Sequence, residues 1–494
     1  MKTLMQTAKL SLAVLPVLVA LPGYAADDLP PPRAVSPAPV DDLPPPRTTT
    51  RKPRVAPDEA PAAGPAATPQ PQPQASTSDD LPPPTARRSR TPTARGFQPV
   101  LKMGVDDFLL ETAALPDARE ADSYSTLRTS AYVLWQPTRA WEFRAGARLD
   151  GMSQDGGLAG HRELLADYTD TYVRYRNDNT RITLGAQTII WGRADEIPLA
   201  DRVSRVDLTR FVLDELPDRR RAQLAARWEQ SFGEYKLDAV LLPVFRAAQL
   251  PDVASIWSPI NRTTRQIIGI DPSLTSWVNM ARVEEDEHGS GGGGIRLTKT
   301  GEPFDFGVTL ARTRQSLPYY RVDLPTATLT ALHPFNTFVG ADLELVRGGM
   351  TWRMEAGYTS NVPVTLATTA MDSTHSLDWI GAVEFFPGGG DTRVNLQLVA
   401  RALQTDRSIL ELKEYYGVNG EIESSFSQGR WKAGLRFASG INVRDIYLSP
   451  KISYVGWEPH ELFVSAHYFE GEARTLGGFH EDHSLISLGL RTRF

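Results

Sequence analysis

The chain predicts an all-β fold: a transmembrane antiparallel β-barrel of about 18 strands, with 16 as the alternative count. Three observations point to it. From Phe97 onward, runs of roughly ten residues alternate apolar and polar side chains with a period of two. Short Gly-, Pro- or Asn/Asp-rich turns and longer connections alternate strictly along these runs. The last residues close the pattern: Ile486, Leu488, Leu490, Thr492 and Phe494 share one parity, and Ser487, Gly489, Arg491 and Arg493 share the other.

The amino terminus reads as a targeting segment. Lys2 and Lys9 precede an apolar run from Leu10 to Leu21, and Gly23-Tyr24-Ala25 has the small-x-small form of a cleavage site, so residues 1–25 are expected to be a secretory signal peptide. The chain has no cysteine, which removes lipid attachment at that site and any disulfide framework. Beyond it no run of about 18 apolar residues occurs, so no helical span is expected. A mean hydropathy of -0.30 agrees with a barrel, in which only every second strand residue faces lipid. The net charge of -6 over 494 residues decides little about partners, and nucleic acid is not among those expected.

Residues 26–96 are dominated by Pro, Ala, Thr, Ser and Arg and lack the large apolar side chains of a core. Disorder with a polyproline II tendency is expected there, as a periplasmic segment. The phrase Asp-Asp-Leu-Pro-Pro-Pro occurs at Asp27–Pro32, Asp41–Pro46 and Asp79–Pro84. It reads as a stiff spacer or as a repeated docking motif for a periplasmic protein.

Residues 97–494 form the expected barrel. Its short turns are Gln136–Arg139, Asn177–Asn179, Ser231–Gly233, Thr300–Glu302, Arg347–Gly349, Pro387–Gly390, Ser427–Gly429 and Glu458-Pro459. The long connections are expected near Gly151–Ala166, Trp191–Arg220, Arg246–Gly291, Arg314–Pro334, Ser360–Ser373, Gln404–Lys413, Ile441–Arg444 and Gly471–Asp482. Eight turns define sixteen strands and the final strand makes an odd total. Since bacterial single-chain barrels carry an even number, one more is required in Phe97–Leu110.

Parity separates the faces. Trp141, Phe143, Ala145, Ala147 and Leu149 oppose Glu142, Arg144, Gly146 and Arg148. Trp352, Met354, Ala356 and Tyr358 oppose Arg353 and Glu355, and Val394, Leu396, Leu398 and Ala400 oppose Arg393, Asn395, Gln397 and Arg401. Turning the charged set outward costs about 2–4 kcal/mol for each Arg or Lys at the membrane midplane, so it must face the lumen. Trp135, Trp141, Tyr235, Phe385, Phe386, Trp431 and Trp457 lie near turns, as an interfacial aromatic girdle requires.

The inward set is richer in Arg than in acids. Arg144, Arg148, Arg174, Arg353, Arg393, Arg401 and Arg436 are therefore the candidate solute path, in a basic lumen expected to favour anions. The connection after Ile190 is unusually dense in charge. Trp191, Arg193, Asp195, Arg202, Asp207 and Arg210 are the candidate constriction, on a loop expected to fold inward. Val206, Leu208, Phe211 and Leu213 within it are compatible with a short helix. Enzyme activity is not expected, because no Gly-x-Ser-x-Gly elbow or triad is present, and no cofactor is implied. Glu284–His288 reads as a solvated charge run rather than a cation site, and His460, His467, His480 and His483 as surface or lumen residues.

Two resemblances add to this reading. The strand ending on Phe494 resembles the signal by which Gram-negative outer-membrane barrels reach their assembly machinery, which implies that machinery and outer-membrane lipid as partners. Trp191-Gly192 after a strand, Leu241–Arg246 and the Gln249-Leu250-Pro251 step resemble a broad, poorly characterised family of porin-like outer-membrane proteins, over roughly Tyr172–Pro259. That resemblance implies an outer-membrane channel. The proline-rich extension departs from the simple porin pattern and leaves a second expectation: an anchor or terminal component of an envelope-spanning assembly.

Overall fold

The computed structural model describes residues 97–158, 160–194, 198–261, 266–268, 280–285, 288–472 and 475–494. The expected signal peptide and the Asp-Asp-Leu-Pro-Pro-Pro repeats lie outside the described residues. In chain order the barrel strands are β1 (Val100–Ala114), β2 (Ser123–Gln136), β3 (Trp141–Asp155), β4 (His161–Tyr168 and Thr171–Arg176), β5 (Thr180–Gln187), β6 (Gln223–Phe232), β7 (Tyr235–Leu242), β8 (Gly292–Lys299) and β9 (Asp305–Arg314). They continue as β10 (Phe335–Arg347), β11 (Met350–Thr365), β12 (Met371–Phe385), β13 (Thr392–Gln404), β14 (Glu414–Phe426), β15 (Trp431–Gly440), β16 (Asp445–Trp457), β17 (His460–Gly471) and β18 (Leu485–Arg493).

Each strand pairs antiparallel with its neighbours in sequence, and β1 pairs with β18 through Leu110↔Leu490 and Thr112↔Leu488. The sheet contains 19 ladder segments, two of which are the halves of β4 on the same edge of β3, so the closed barrel has 18 strands. A bulge separates those halves: Ala147 faces Tyr168, whereas Arg144 faces Tyr172. Pairing β1 with β18 closes the sheet on itself, which is what hydrocarbon demands of a spanning sheet. No helix among the described residues is long and apolar enough to cross a membrane; the crossing is made by strands.

The exterior carries Leu127, Leu184, Leu241, Leu310, Leu398 and Leu488, all exposed, while their chain neighbours Arg128, Thr183, Thr309, Gln397 and Ser487 are buried on the inner side. Trp135, Trp141, Tyr235, Phe386, Trp431 and Trp457 are exposed at the short-turn end. All eight expected short turns join adjacent strands. Between β10 and β11, Arg347 pairs with Met350, and Gly348 and Gly349 have φ of 64° and 76°, values a two-residue hairpin turn requires and glycine adopts without strain.

Two connections are shorter than expected. β3 and β4 pair out to Gln154↔His161, replacing most of the Gly151–Ala166 loop, because Met152 and Gln154 continue the inward parity. β11 and β12 likewise extend to Thr365↔Met371 across an irregularity between Thr359 and Val362. At the long-connection end, Arg282–Glu285, Thr328–Leu332 and Tyr319–Asp323 form a separate three-stranded sheet. Short turns at one end, long connections at the other and an apolar outer belt make this an outer-membrane barrel.

Candidate functional site

The connection from β5 to β6 turns into the barrel. Ile189, Trp191, Ala200 and Val203 pack against the inner faces of β6, β7, β9 and β10 through Ala225, Val240, Leu242, Ala311 and Phe338. The Trp191 indole N–H donates to Asp238 Oδ2 at 3.0 Å, so this tryptophan is packed into the wall and only 2% exposed. Gly192 follows with φ 99°, and a Cβ on it would stand 2.8 Å from Glu355 Oε1. Glycine there lets the Glu355 carboxylate reach the backbone, where it accepts from the amides of Arg193, Ala194 (2.8 Å), Leu199 (2.6 Å) and Ala200 (3.3 Å). A carboxylate has lone pairs enough for four donors, and the segment's orphan N–H groups need them.

The Arg193 side chain reaches Asp342 of β10 at 2.7 Å and Asp305 of β9 at 3.5 Å. Arg202 lies over the Phe338 ring at 4.3 Å. Asp195 falls outside the described residues.

The second half of the segment crosses to the opposite wall. Asp207 Oδ2 accepts from Arg148 of β3 at 3.1 Å and from Arg221 at 2.8 Å, while Asp150 of β3 accepts from Arg128, Arg148 and Arg221. Arg210 donates to Glu111 of β1 and, at 2.7 Å, to Asp214. Asp214 also accepts from Arg128 of β2 at 2.6 Å. Asp218 takes a two-pronged pair from Arg491 of β18, both arms at 2.6 Å, and Glu215 accepts from Arg493 at 2.9 Å. Burial alone would raise the Asp214 carboxyl, but Arg128 and Arg210 outweigh it and hold it below the ordinary carboxylate range.

No helix forms over Val206–Leu213, contrary to the expectation. Val206 pairs with Arg220 in a two-residue ladder, Asp207 bridges to Gln249, and turns follow with Phe211 at φ 54°, because Leu208, Phe211, Val212 and Leu213 all point into one apolar layer. In that layer Phe211 stacks on Trp257 of the β7–β8 connection, ring centroids 6.0 Å apart and 8° from parallel, with Phe469 and His480 beside it.

The arginines expected to line the path face inward, and carboxylates accompany them. Arg144 pairs with Asp106 (2.7 Å), Arg174 with Glu142 (2.9 Å), Arg353 with Glu344 (3.1 Å) and Glu384 (3.4 Å), Arg393 with Glu421 (2.5 Å) and Arg401 with Asp378 (3.6 Å). Arg148 is held by the inward segment, and Arg436 donates to the Leu213 carbonyl at 3.3 Å. The inward acids Glu111, Asp342, Asp378, Glu384 and Glu421, and Arg128, are further lumen residues that the sequence analysis did not single out. Parity alone would have found Arg128, which alternates with exposed Leu127 on β2.

His480 and His483, expected at the surface or in the lumen, are buried at the long-connection end. Their Nδ1 atoms lie 2.8 Å apart, and His483 Nε2 is 3.4 Å from Glu120, which also accepts from Asn261 at 2.6 Å. Among the described residues no group of three or more His, Asp or Glu is arranged to hold a metal ion.

No curated protein matches this chain in sequence. Among solved structures, OccAB1 of Acinetobacter baumannii is similar with a TM-score of 0.48 at 10% identity, over 81% of this chain and 98% of that one. OccK5 (OpdH) of Pseudomonas aeruginosa gives 0.46 at 8% identity over 81% and 98%. A porin variant of Rhodopseudomonas blastica gives 0.33 at 12% identity over 80% and 100%. The family model described as "Protein of unknown function (DUF1302)" matches residues 120–410, well over half of the chain, and the protein belongs to that family.

Proposed function

We propose that this barrel is a channel for small polar solutes, narrowed by the segment between β5 and β6. The observation that carries the reading is the path of that segment. Its polar contacts fall on β9–β11 through Arg193 and Glu355 and on β1–β3 and β18 through Asp207, Arg210, Asp214 and Asp218, so it crosses the lumen. Arg193, Arg202, Asp207 and Arg210 set the narrowing; Trp191 anchors it. A solute must pass between the segment and the remaining wall, exchanging hydration for wall contacts.

Anion preference is the finer part of the proposal. The carboxylates beside Arg144, Arg174, Arg353, Arg393 and Arg401 cancel most of the field those arginines would focus, so the expected preference is weak. Reversal potentials across planar bilayers under a salt gradient test both parts. A conducting protein with a small anion bias is the expected result; a protein that never conducts sinks the channel, and cation selectivity sinks the preference.

We further propose that Phe494, exposed at the short-turn end, is the contact for barrel assembly, and that the chain enters β1 from the periplasm with its proline-rich repeats available to a partner there. Crosslinking from residues placed in 26–96 to periplasmic proteins tests the second point, and protease cleavage of that segment in intact cells would contradict it.

A further inference from the structure

The outer surface carries a groove of about 610 Å³ over β5–β9, a size within the range of ligand sites, roughly 300–1,000 Å³. Two rows of directly opposed, outward residues build it. One runs from β5 to β9 as Leu184, Ala226, Leu241, Gly293 and Arg312. The other, one step nearer the short turns, runs as Ile182, Trp228, Ala239, Ile295 and Leu310. Ala226, Ala239 and Gly293, on three adjacent strands, are the small residues of these rows, so the surface is low where they lie. It stands up around them in Trp228, Leu241, Ile295 and Leu310, all exposed. The floor is apolar and long enough to take a hydrocarbon chain laid across the strands.

Arg312 closes the first row, two residues from the end of β9 at the long connections. It is exposed, donates to Thr337 Oγ1 at 3.4 Å and lies beside the Phe335 ring. Arg314, the next residue of the same parity, is held by the carbonyls of Ser290 and His333. Among the described residues no carboxylate pairs with Arg312. The two rows contain no acid, even when carried on through Thr337 and Ser360 and through Val339 and Tyr358. An arginine on the lipid face is costly at the membrane midplane and tolerated near the headgroups, so this one marks the headgroup level. It lacks an anion, and its planar fork fits a phosphate through two parallel bonds. A second copy of the chain pressed onto this face would bring apolar side chains from these rows but no acid.

We propose that the groove is a lipid site, in which an acyl chain lies over Ala226, Ala239 and Gly293 and a headgroup phosphate meets Arg312. The lipid is a phosphorylated glycolipid of the outer leaflet, the leaflet next to the long connections when these lie outside the cell, as in other outer-membrane barrels. The site is on the exterior of the barrel and stands whether or not the lumen conducts.

Its test uses the full protein extracted from outer membranes in mild detergent and stripped of lipid. Bis-phosphorylated lipid A, its phosphate-free form or phosphatidylglycerol is added, and bound lipid is counted by native mass spectrometry. Bis-phosphorylated lipid A should bind one per barrel and several-fold more tightly than the other two. Arg312→Gln should erase most of the difference between the two forms of lipid A. Ala239→Phe, which fills the floor of the groove, should weaken both. Variants that bind as the parent does overturn the placement.

Two outcomes need no variant. Equal binding of the phosphorylated and phosphate-free forms by the parent overturns the phosphate contact, and phosphatidylglycerol bound as tightly as lipid A overturns the glycolipid. Dimers in place of lipid adducts would mean that a second copy covers this face, and would overturn the site.

Discussion

Leu199 N lies 2.6 Å from Glu355 Oε2, and this single wall carboxylate holds Arg193 and Ala194 as well as Leu199 and Ala200. The variant Glu355→Gln would set an NH2 group against two backbone donors. Each buried donor left unsatisfied costs about 1–3 kcal/mol. The expected outcome is faster hydrogen exchange at the amides of Ala194, Leu199 and Ala200 and a larger single-channel conductance. Unchanged exchange at those amides would mean the carboxylate does not hold the segment.

Arg128 and Asp214 are both almost inaccessible and 2.6 Å apart. Asp214→Asn leaves Arg128 and Arg210 each short of a charged partner, and breaking a buried pair from one side costs about 3–5 kcal/mol. Loss of protection over residues 207–218, read by hydrogen exchange, is expected. The double variant Arg128→Met with Asp214→Leu should recover part of the loss, because neither charge is then stranded.

Glu411, in the β13–β14 connection, accepts from the Thr365 amide at 2.7 Å, and burial pushes its carboxyl up from 4.5 to about 7. The folded state thus binds the extra proton between those values, so the contribution is complete below pH 4.5 and is lost as pH rises through about 7. Exchange at Thr365 and Leu410 should quicken over that window, and Glu411→Gln should flatten the dependence.

In the β17–β18 connection the sign is opposite. Burial holds His480 well below its ordinary 6.5, so its contribution is complete above that value and is lost as pH falls further. Burial also pushes Glu120 up, but hydrogen bonds from His483 and Asn261 outweigh it and hold the carboxyl at about 2, so it stays charged throughout the range of interest. Protease cleavage in the β17–β18 connection should therefore rise as the medium is acidified below pH 6.5, and His480→Phe should remove the rise.

Deleting Phe494 should reduce the fraction of chain that reaches the outer membrane as a heat-modifiable barrel. Full assembly without it would remove the proposed contact.

The barrel was legible because its signals are local. A turn such as Arg347–Met350 declares itself through two glycines, and the strand at Val100–Ala114 followed from an even-number rule applied to parity. The segment's partners were not legible, because they depend on register around a closed sheet: Arg128 and Asp214 are 86 residues apart, and Glu355 lies 156 from Leu199. The pairing of the inward arginines with acids was not legible for the same reason, since it depends on Glu421 being set opposite Arg436 and beside Arg393. The helix expected over Val206–Leu213 failed because its apolar residues satisfy an apolar layer made by other connections, Trp257 above all.

The segment between β5 and β6 grips both sides of the join that makes the cylinder: Glu111 on the first strand, and Arg491 and Arg493 on the last. A slip of two residues between β1 and β18 would keep the ladder's bonding pattern and the in–out alternation, yet carry Arg491 away from Asp218 by about 7 Å. The segment thus serves as a gauge of alignment for a seam that backbone pairing alone leaves degenerate, and a chain lacking residues 205–221 should close in more than one register.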